Sequence, residues 1–156
     1  SGDNSLTTDL VKYLLKKESD QNIKYDFVLI LQPTSPFRLI KNFKKAYNYL
    51  SKNLYDSAIT ITEVDEHPYR MKIFKKNNEV KNYIKMKNES LTPRQKLSKV
   101  YIRAGSIYFT SVKSLYKNNS LVGKKVFGIE VKGKYSLNID TKKELILANH
   151  YFNVKN

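Results

Sequence analysis

Cysteine is absent from the 156 residues, which excludes disulfides and thiolate chemistry. Histidine occurs only at His67 and His150, so no Cys/His spacing suited to a transition metal exists. No Ser/His/Asp order worth defending and no paired carboxylates of the glycosidase kind are present. No apolar run approaches the roughly 18 residues of a membrane span, and the opening residues show no secretory pattern. The expectation is a cytoplasmic protein with no membrane partner. Glycine is scarce at five residues, and repeats, low-complexity runs and linkers are missing. With 40% hydrophobic residues, the chain reads as one folded domain large enough for a real core.

Charge, by contrast, is abundant and one-sided. Twenty-nine basic residues against 14 acidic ones give a net charge of +15. Such a surplus suits nucleotide phosphates, nucleic acid or an anionic surface. Most of it is lysine scattered among Asn and Tyr, which disfavours a dedicated nucleic-acid surface. The densest stretch, 70–103, holds eleven Lys or Arg against Glu79 and Glu89.

The chain is organised around Phe27-Val28-Leu29-Ile30-Leu31 and the segment Gln32-Pro33-Thr34-Ser35-Pro36-Phe37-Arg38 that follows. Five consecutive apolar residues predict a strand buried on both faces, the sign of a central parallel strand. The two prolines stop the ladder, leaving a rigid polar loop at the strand's carboxyl end, where open α/β sheets bind ligands. Gln32, Thr34, Ser35 and Arg38 offer an amide, two hydroxyls and a guanidinium to a polar substrate. The competing interpretation is a plain strand-to-helix turn, with Ser35 as cap and Pro36 in the first helical position.

Helical spacing of Leu6, Leu10, Val11, Leu14 and Leu15 predicts a first helix, and Ile40, Phe43, Ala46, Tyr47 and Leu50 a second. Residues 56–64 alternate as a strand, and 71–74 with 80–84 form a hairpin around a polar turn. A strand over 101–110 carries Gly105 inside it, a mark of close approach by backbone or ligand. A short helix over 111–116, a strand over 125–131 and a helix over 141–152 complete the chain, the last opened by the capping box Thr141-Lys142-Lys143-Glu144. The alternation predicts an α/β layer.

Three further groups could carry chemistry. Asn138 and Asp140, two residues apart, share one side of an extended strand end and could hold a hard cation such as Mg²⁺. Alternatively, Asp140 merely favours the helix start. The second group is Arg94-Gln95, followed by Tyr101-Ile102-Arg103-Ala104-Gly105-Ser106-Ile107-Tyr108. Solvated charge and core packing are the plain alternatives for Arg94 and Tyr108. His67, without a visible partner, is read as incidental.

Leu31-Gln32-Pro33-Thr34-Ser35-Pro36-Phe37-Arg38 resembles the signature of the acylneuraminate cytidylyltransferases, the CMP-sialic acid synthetases and their legionaminic and pseudaminic acid relatives. Only Phe37, where leucine is usual, departs from it. The block around Arg94 and Tyr108 and the Asn138-Ile139-Asp140-Thr141 turn also resemble that family. Ser98, Ala104 and Asn138 stand where proline, asparagine and an aspartate are usual. The resemblance implies a Rossmann-like nucleotide-diphospho-sugar transferase fold with a mostly parallel sheet and a projecting hairpin, 69–100, used for homodimerisation. It implies CTP and an acid sugar as substrates, with Mg²⁺ on Asp140 and, less securely, Asn138. Arg94 and Asp140 are then the catalytic positions, and Gln32, Thr34, Ser35, Arg38, Gln95 and Tyr108 bind substrate. The family's opening strand and glycine-rich phosphate loop have no counterpart here. The expectation is a C-terminal two-thirds of the family domain, inactive alone. Competing functions are a basic nucleotide- or nucleic-acid-binding fragment and a transferase for a KDO-like sugar.

Overall fold

A computed structural model describes residues 2–85, 93 and 96–154, with side chains from residue 7 onward. The chain divides into two compact units, residues 1–61 with 103–156, and residues 62–102.

In the first unit, α1 (Gly2–Asp20) precedes β1 (Phe27–Ile30), α2 (Ile40–Leu50) and β2 (Ser57–Glu63). After the second unit come β5 (Tyr101–Ser111), α3 (Val112–Asn118), β6 (Val126–Glu130) and α4 (Lys142–Asn153). The four strands form one sheet in the order β1-β5-β2-β6. β2 and β6 are parallel, with Ser57 opposite Val126. β5 runs antiparallel to β1, with Phe27 opposite Ser111 and Ile30 opposite Tyr108. It also opposes β2, since Ser111 N donates to Asp56 O at 3.1 Å while Val64 N donates to Val100 O at 3.0 Å. The sheet is therefore mixed: β1, β2 and β6 share a direction, and β5 runs against them.

The placement of β1 corrects the expectation of a central parallel strand. Among the described residues its one neighbour is β5, and Leu29 and Leu31 are 41% and 44% exposed. An all-apolar run reports burial potential, not which edges are paired.

The core lies where α2 covers the sheet. Ala46 and Leu50 of α2 meet Ala58, Ile107, Phe109 and Ile129, with Phe27, Phe43, Tyr55 and Phe127 packed around them. The helical period brings Phe43, Ala46 and Leu50 to one side and leaves Lys41, Lys44 and Lys45 outward. Burying a Leu50 or an Ile107 side chain contributes about 1.5–3 kcal/mol. The buried hydroxyls here are paired: Ser106 Oγ donates to Thr60 Oγ1 at 2.9 Å, and Ile107 N donates to the same oxygen at 3.2 Å.

In the second unit β3 (Lys72–Phe74) and β4 (Val80–Asn82) form the expected hairpin, with Ile73 opposite Lys81. Its turn places Asn77 and Asn78 at φ of 61° and 60°, a region asparagine tolerates well. His67 is buried and fully engaged: Tyr69 N donates to Nδ1 at 3.2 Å, and Nε2 lies 3.2 Å from Ser98 O. These partners make it a tie between two loop segments rather than a free base.

Candidate active site

The segment 32–38 leaves the end of β1 without pairing into any ladder, yet it is firmly held. Ser35 N donates to Gln32 O at 3.1 Å, closing a turn around Pro33 and Thr34. The Arg38 guanidinium donates through Nε to Ser106 O at 3.1 Å and through Nη2 to Gln32 O. Arg38 thus staples the loop to β5.

Ser35 is wholly buried and does not cap α2. That helix starts after Leu39, in extended conformation and with no side-chain cap. The turn interpretation of Ser35-Pro36 is thereby corrected. Ser35 Oγ instead donates to Asn138 Oδ1 at 3.0 Å, and Asn138 Nδ2 donates to Asp140 Oδ2 at 2.6 Å. A backbone bond from Ile139 N to Thr34 O, 2.8 Å, runs beside this chain of contacts. Phe37 adds an edge-on contact with Tyr151 of α4, centroids 6.1 Å apart. The loop after β1 and the turn before α4 are therefore one hydrogen-bonded body.

Asp140 is exposed, and its carboxylate takes no part in starting α4. Thr141 and Glu144 do that reciprocally, with Glu144 Oε2 accepting from Thr141 N at 2.6 Å and from Asp140 N at 2.9 Å. The Thr141 hydroxyl above all, then the backbone N–H groups of Asp140 and Thr141, hold the Glu144 carboxyl below its ordinary 4.5. The carboxylate of Asp140 is left for other work.

Among the described residues no cluster of three or more His, Cys, Asp or Glu could hold a metal ion. Asp140 offers one carboxylate, and the second nearby oxygen, Asn138 Oδ1, already accepts from Ser35. Mg²⁺ commonly takes one or two carboxylates and completes its shell with phosphates and water. The donor set fits a cation that arrives with a nucleotide.

Beside the loop opens a cleft of about 370 Å³, lined among others by Thr8, Ile30, Gln32, Arg103, Tyr108 and Ser120. Gln32 and Tyr108, both expected substrate residues, meet here, and both are half-buried. Tyr108 is thus more than core packing. Under the loop, Gly105 has φ +73°, and a Cβ built there would lie 2.6 Å from Gln32 Oε1 and 3.3 Å from Ser35 Oγ. Its lack of a side chain is what lets the loop lie on β5. Arg103 and Ser120 are cleft residues that the sequence did not single out. The period-two register of β5 offered a signal for Arg103, which stands two residues before Gly105 on the same face. Thr34 contributes its carbonyl to the turn. Arg94 and Gln95 lie outside the described residues.

No protein-family model matches the chain. Among curated proteins it is 27% identical over 154 residues to the N-acylneuraminate cytidylyltransferase of Streptococcus agalactiae serotype V, covering 97% of this chain and 36% of that protein. It is 30% identical over 141 residues to N-acylneuraminate cytidylyltransferase A of Danio rerio, covering 90% and 31%. A third relative is the post-translational flagellin modification protein B of Campylobacter coli, 29% identical over 111 residues, covering 71% and 46%. The chain thus spans less than half of the length of these relatives, between 31% and 46%. Among solved structures it resembles 4-diphosphocytidyl-2C-methyl-D-erythritol synthase from Anaerococcus prevotii, with a TM-score of 0.54, 20% identity and coverage of 88% and 64%. That likeness shows that the two chains share an α/β fold. By sequence, the chain is similar over most of its length to part of the acylneuraminate cytidylyltransferases.

Proposed function

We propose that the protein to which this chain belongs transfers a cytidylyl group from CTP to an acid sugar of the sialic, legionaminic or pseudaminic type. The anomeric oxygen of the sugar forms a bond to the α-phosphorus, and the bond from that phosphorus to the bridging oxygen breaks. Pyrophosphate leaves with the electron pair, and the hydroxyl proton passes to solvent or a base. The observation that carries this is the union of the Gln32–Arg38 loop with the Asn138–Asp140 turn beside a cleft holding Gln32 and Tyr108. One hydrogen-bonded body then presents polar side chains and an exposed carboxylate.

Such chemistry needs positioning and charge neutralisation more than covalent help. Mg²⁺ held by Asp140 would supply the neutralisation on the phosphates. Gln32 and Tyr108 would orient the sugar. Arg103, in the same cleft, adds a positive charge suited to a carboxylate. Thr34, Ser35 and Arg38 keep the loop in shape, and Arg94 and Gln95 are proposed to reach the sugar carboxylate or phosphates. The second unit, which contains the 69–100 hairpin, is proposed to mediate a cytoplasmic homodimer, as the resemblance implies.

A nucleic-acid-binding role is less well supported. Tyr49, Tyr55 and Phe127 pack on one another, with ring centroids 4.2–5.7 Å apart, and Lys45 and Lys125 lie over two of the rings. Rings so occupied make a poor stacking platform. The test is incubation of the purified protein with CTP, Mg²⁺ and, in turn, sialic, legionaminic, pseudaminic and KDO sugars. CMP-sugar is followed by ³¹P NMR. Product from a nine-carbon acid sugar is expected. Product from KDO alone, or from none while RNA is bound, would refute the proposal.

A further inference from the structure

We infer that Ser35 and Asn138 are positioning residues for Asp140, and that they make the cation site a one-carboxylate site that is filled only together with phosphate. The phosphate partner rests on the proposed function; the hydrogen-bonded geometry does not.

A hydroxyl buried as completely as that of Ser35 must be paired to avoid a desolvation cost. Its partner is Asn138 Oδ1 at 3.0 Å. An asparagine has one acceptor oxygen and one donor NH₂, so fixing the oxygen on Ser35 fixes the NH₂ on the opposite side. There it meets Asp140 Oδ2 at 2.6 Å. Ser35 therefore sets the orientation of the Asn138 amide, and the amide sets the orientation of the Asp140 carboxylate. The backbone bond from Ile139 N to Thr34 O keeps the segment from sliding past the loop.

This relay has a consequence for the cation. One oxygen of Asp140 is engaged by a neutral donor, and the amide oxygen is engaged by a hydroxyl. The protein alone then offers a divalent cation a single carboxylate that is partly satisfied already, too little to hold it against water. Phosphate oxygens would complete the shell. Asn138→Asp reverses the situation. The new carboxylate can still accept from Ser35, but it cannot donate to Asp140. Two carboxylates then face each other within hydrogen-bond distance, an arrangement that repels unless a cation sits between them.

The experiment uses the 156-residue chain and Mn²⁺ alone, without nucleotide or sugar, with free Mn²⁺ followed by electron paramagnetic resonance. Circular dichroism checks the fold of each variant. The wild type is expected to bind weakly. N138D should bind at least about tenfold more tightly, in line with the size of effects from groups that orient metal ligands. The double variant N138D/D140N should lose that gain. A purely structural role for Asn138 would predict no gain at all. Should N138D fail to fold, Ser35→Ala gives an independent readout through the side-chain amide protons of Asn138 in NMR. These should be slow to exchange in the wild type and fast in S35A. Wild-type binding as tight as that of N138D, or unchanged Asn138 protons in S35A, would overturn the inference. If these results hold but the protein to which this chain belongs forms no CMP-sugar, the proposed function fails and the relay stands. If CMP-sugar forms and these results fail, the relay alone is wrong.

Discussion

Replacing Gly105 by alanine should damage both stability and sugar recognition, by two separable routes. The backbone route follows from φ +73°, where an L-residue costs about 1–2 kcal/mol. For a domain of this size each kcal/mol lowers the Tm by roughly 2–4 °C, so a drop of about 2–8 °C is expected. The contact route follows from the new Cβ, 2.6 Å from Gln32 Oε1, 3.3 Å from Ser35 Oγ and 3.8 Å from Asn138 Oδ1. Gln32 can swing its amide away at little cost, whereas the buried Ser35 cannot. The displaced amide is the one assigned to the sugar. Losing such a contact costs about 1–3 kcal/mol, or about 5- to 150-fold in the KM for the acid sugar. The KM for CTP should change much less. Gly133→Ala is the control, since Gly133 has φ +55° but nothing within 4 Å of the place its methyl would take. It should lower the Tm similarly and leave both KM values alone. Thermal melts by circular dichroism and steady-state kinetics on the active protein decide the matter. Equal KM values in the two variants would refute the placement of Gln32, and an unchanged Tm in both would refute the strain argument.

Asp140→Ala should abolish Mg²⁺-dependent turnover while the melt stays close to wild type, and near-normal activity would return Asp140 to a helix-start role. Gln32→Ala should raise the KM for the acid sugar more than that for CTP; the reverse pattern would move Gln32 to the nucleotide. Glu144, held below 4.5 by its Thr141 and backbone partners, stabilises the start of α4 fully above 4.5 and progressively less as pH falls through its folded value. An NMR titration of Glu144 with a midpoint at or above 4.5 would contradict this. The 156-residue chain assayed alone should form no CMP-sugar, because its five glycines include no clustered phosphate-cradling loop. Robust product from it would move the nucleotide site onto residues not assigned to it.

Much of the architecture was legible because it is periodic. Phe43, Ala46 and Leu50 announced the buried side of α2, and Thr141 with Glu144 marked the start of α4. Asn138 and Asp140 were placed on one side by spacing alone, and the hydrogen bond between them agrees. What stayed hidden depends on contacts distant in sequence. The apolar run of β1 says nothing about the direction of β5, whose pairing residues lie some eighty positions later. Ser35 looked like a cap because its local neighbours resemble a helix start, yet its partner is 103 residues away. Arg38 has the same history, since its role is decided by Ser106 O on another strand.

That separation bears on how the chain folds. Bringing two points some hundred residues apart together costs on the order of 4 kcal/mol in chain entropy if nothing else has formed. The cost falls only after β5 and β6 have joined the sheet and shortened the effective loop, so the bond between Ile139 and Thr34 belongs among the last to close. The site is then the least independent part of the fold. Loosening α4 at Tyr151, which packs edge-on against Phe37, would blunt the carboxylate's aim. Exchange of the Ile139 amide becomes a gauge of whether the loop and the turn are joined.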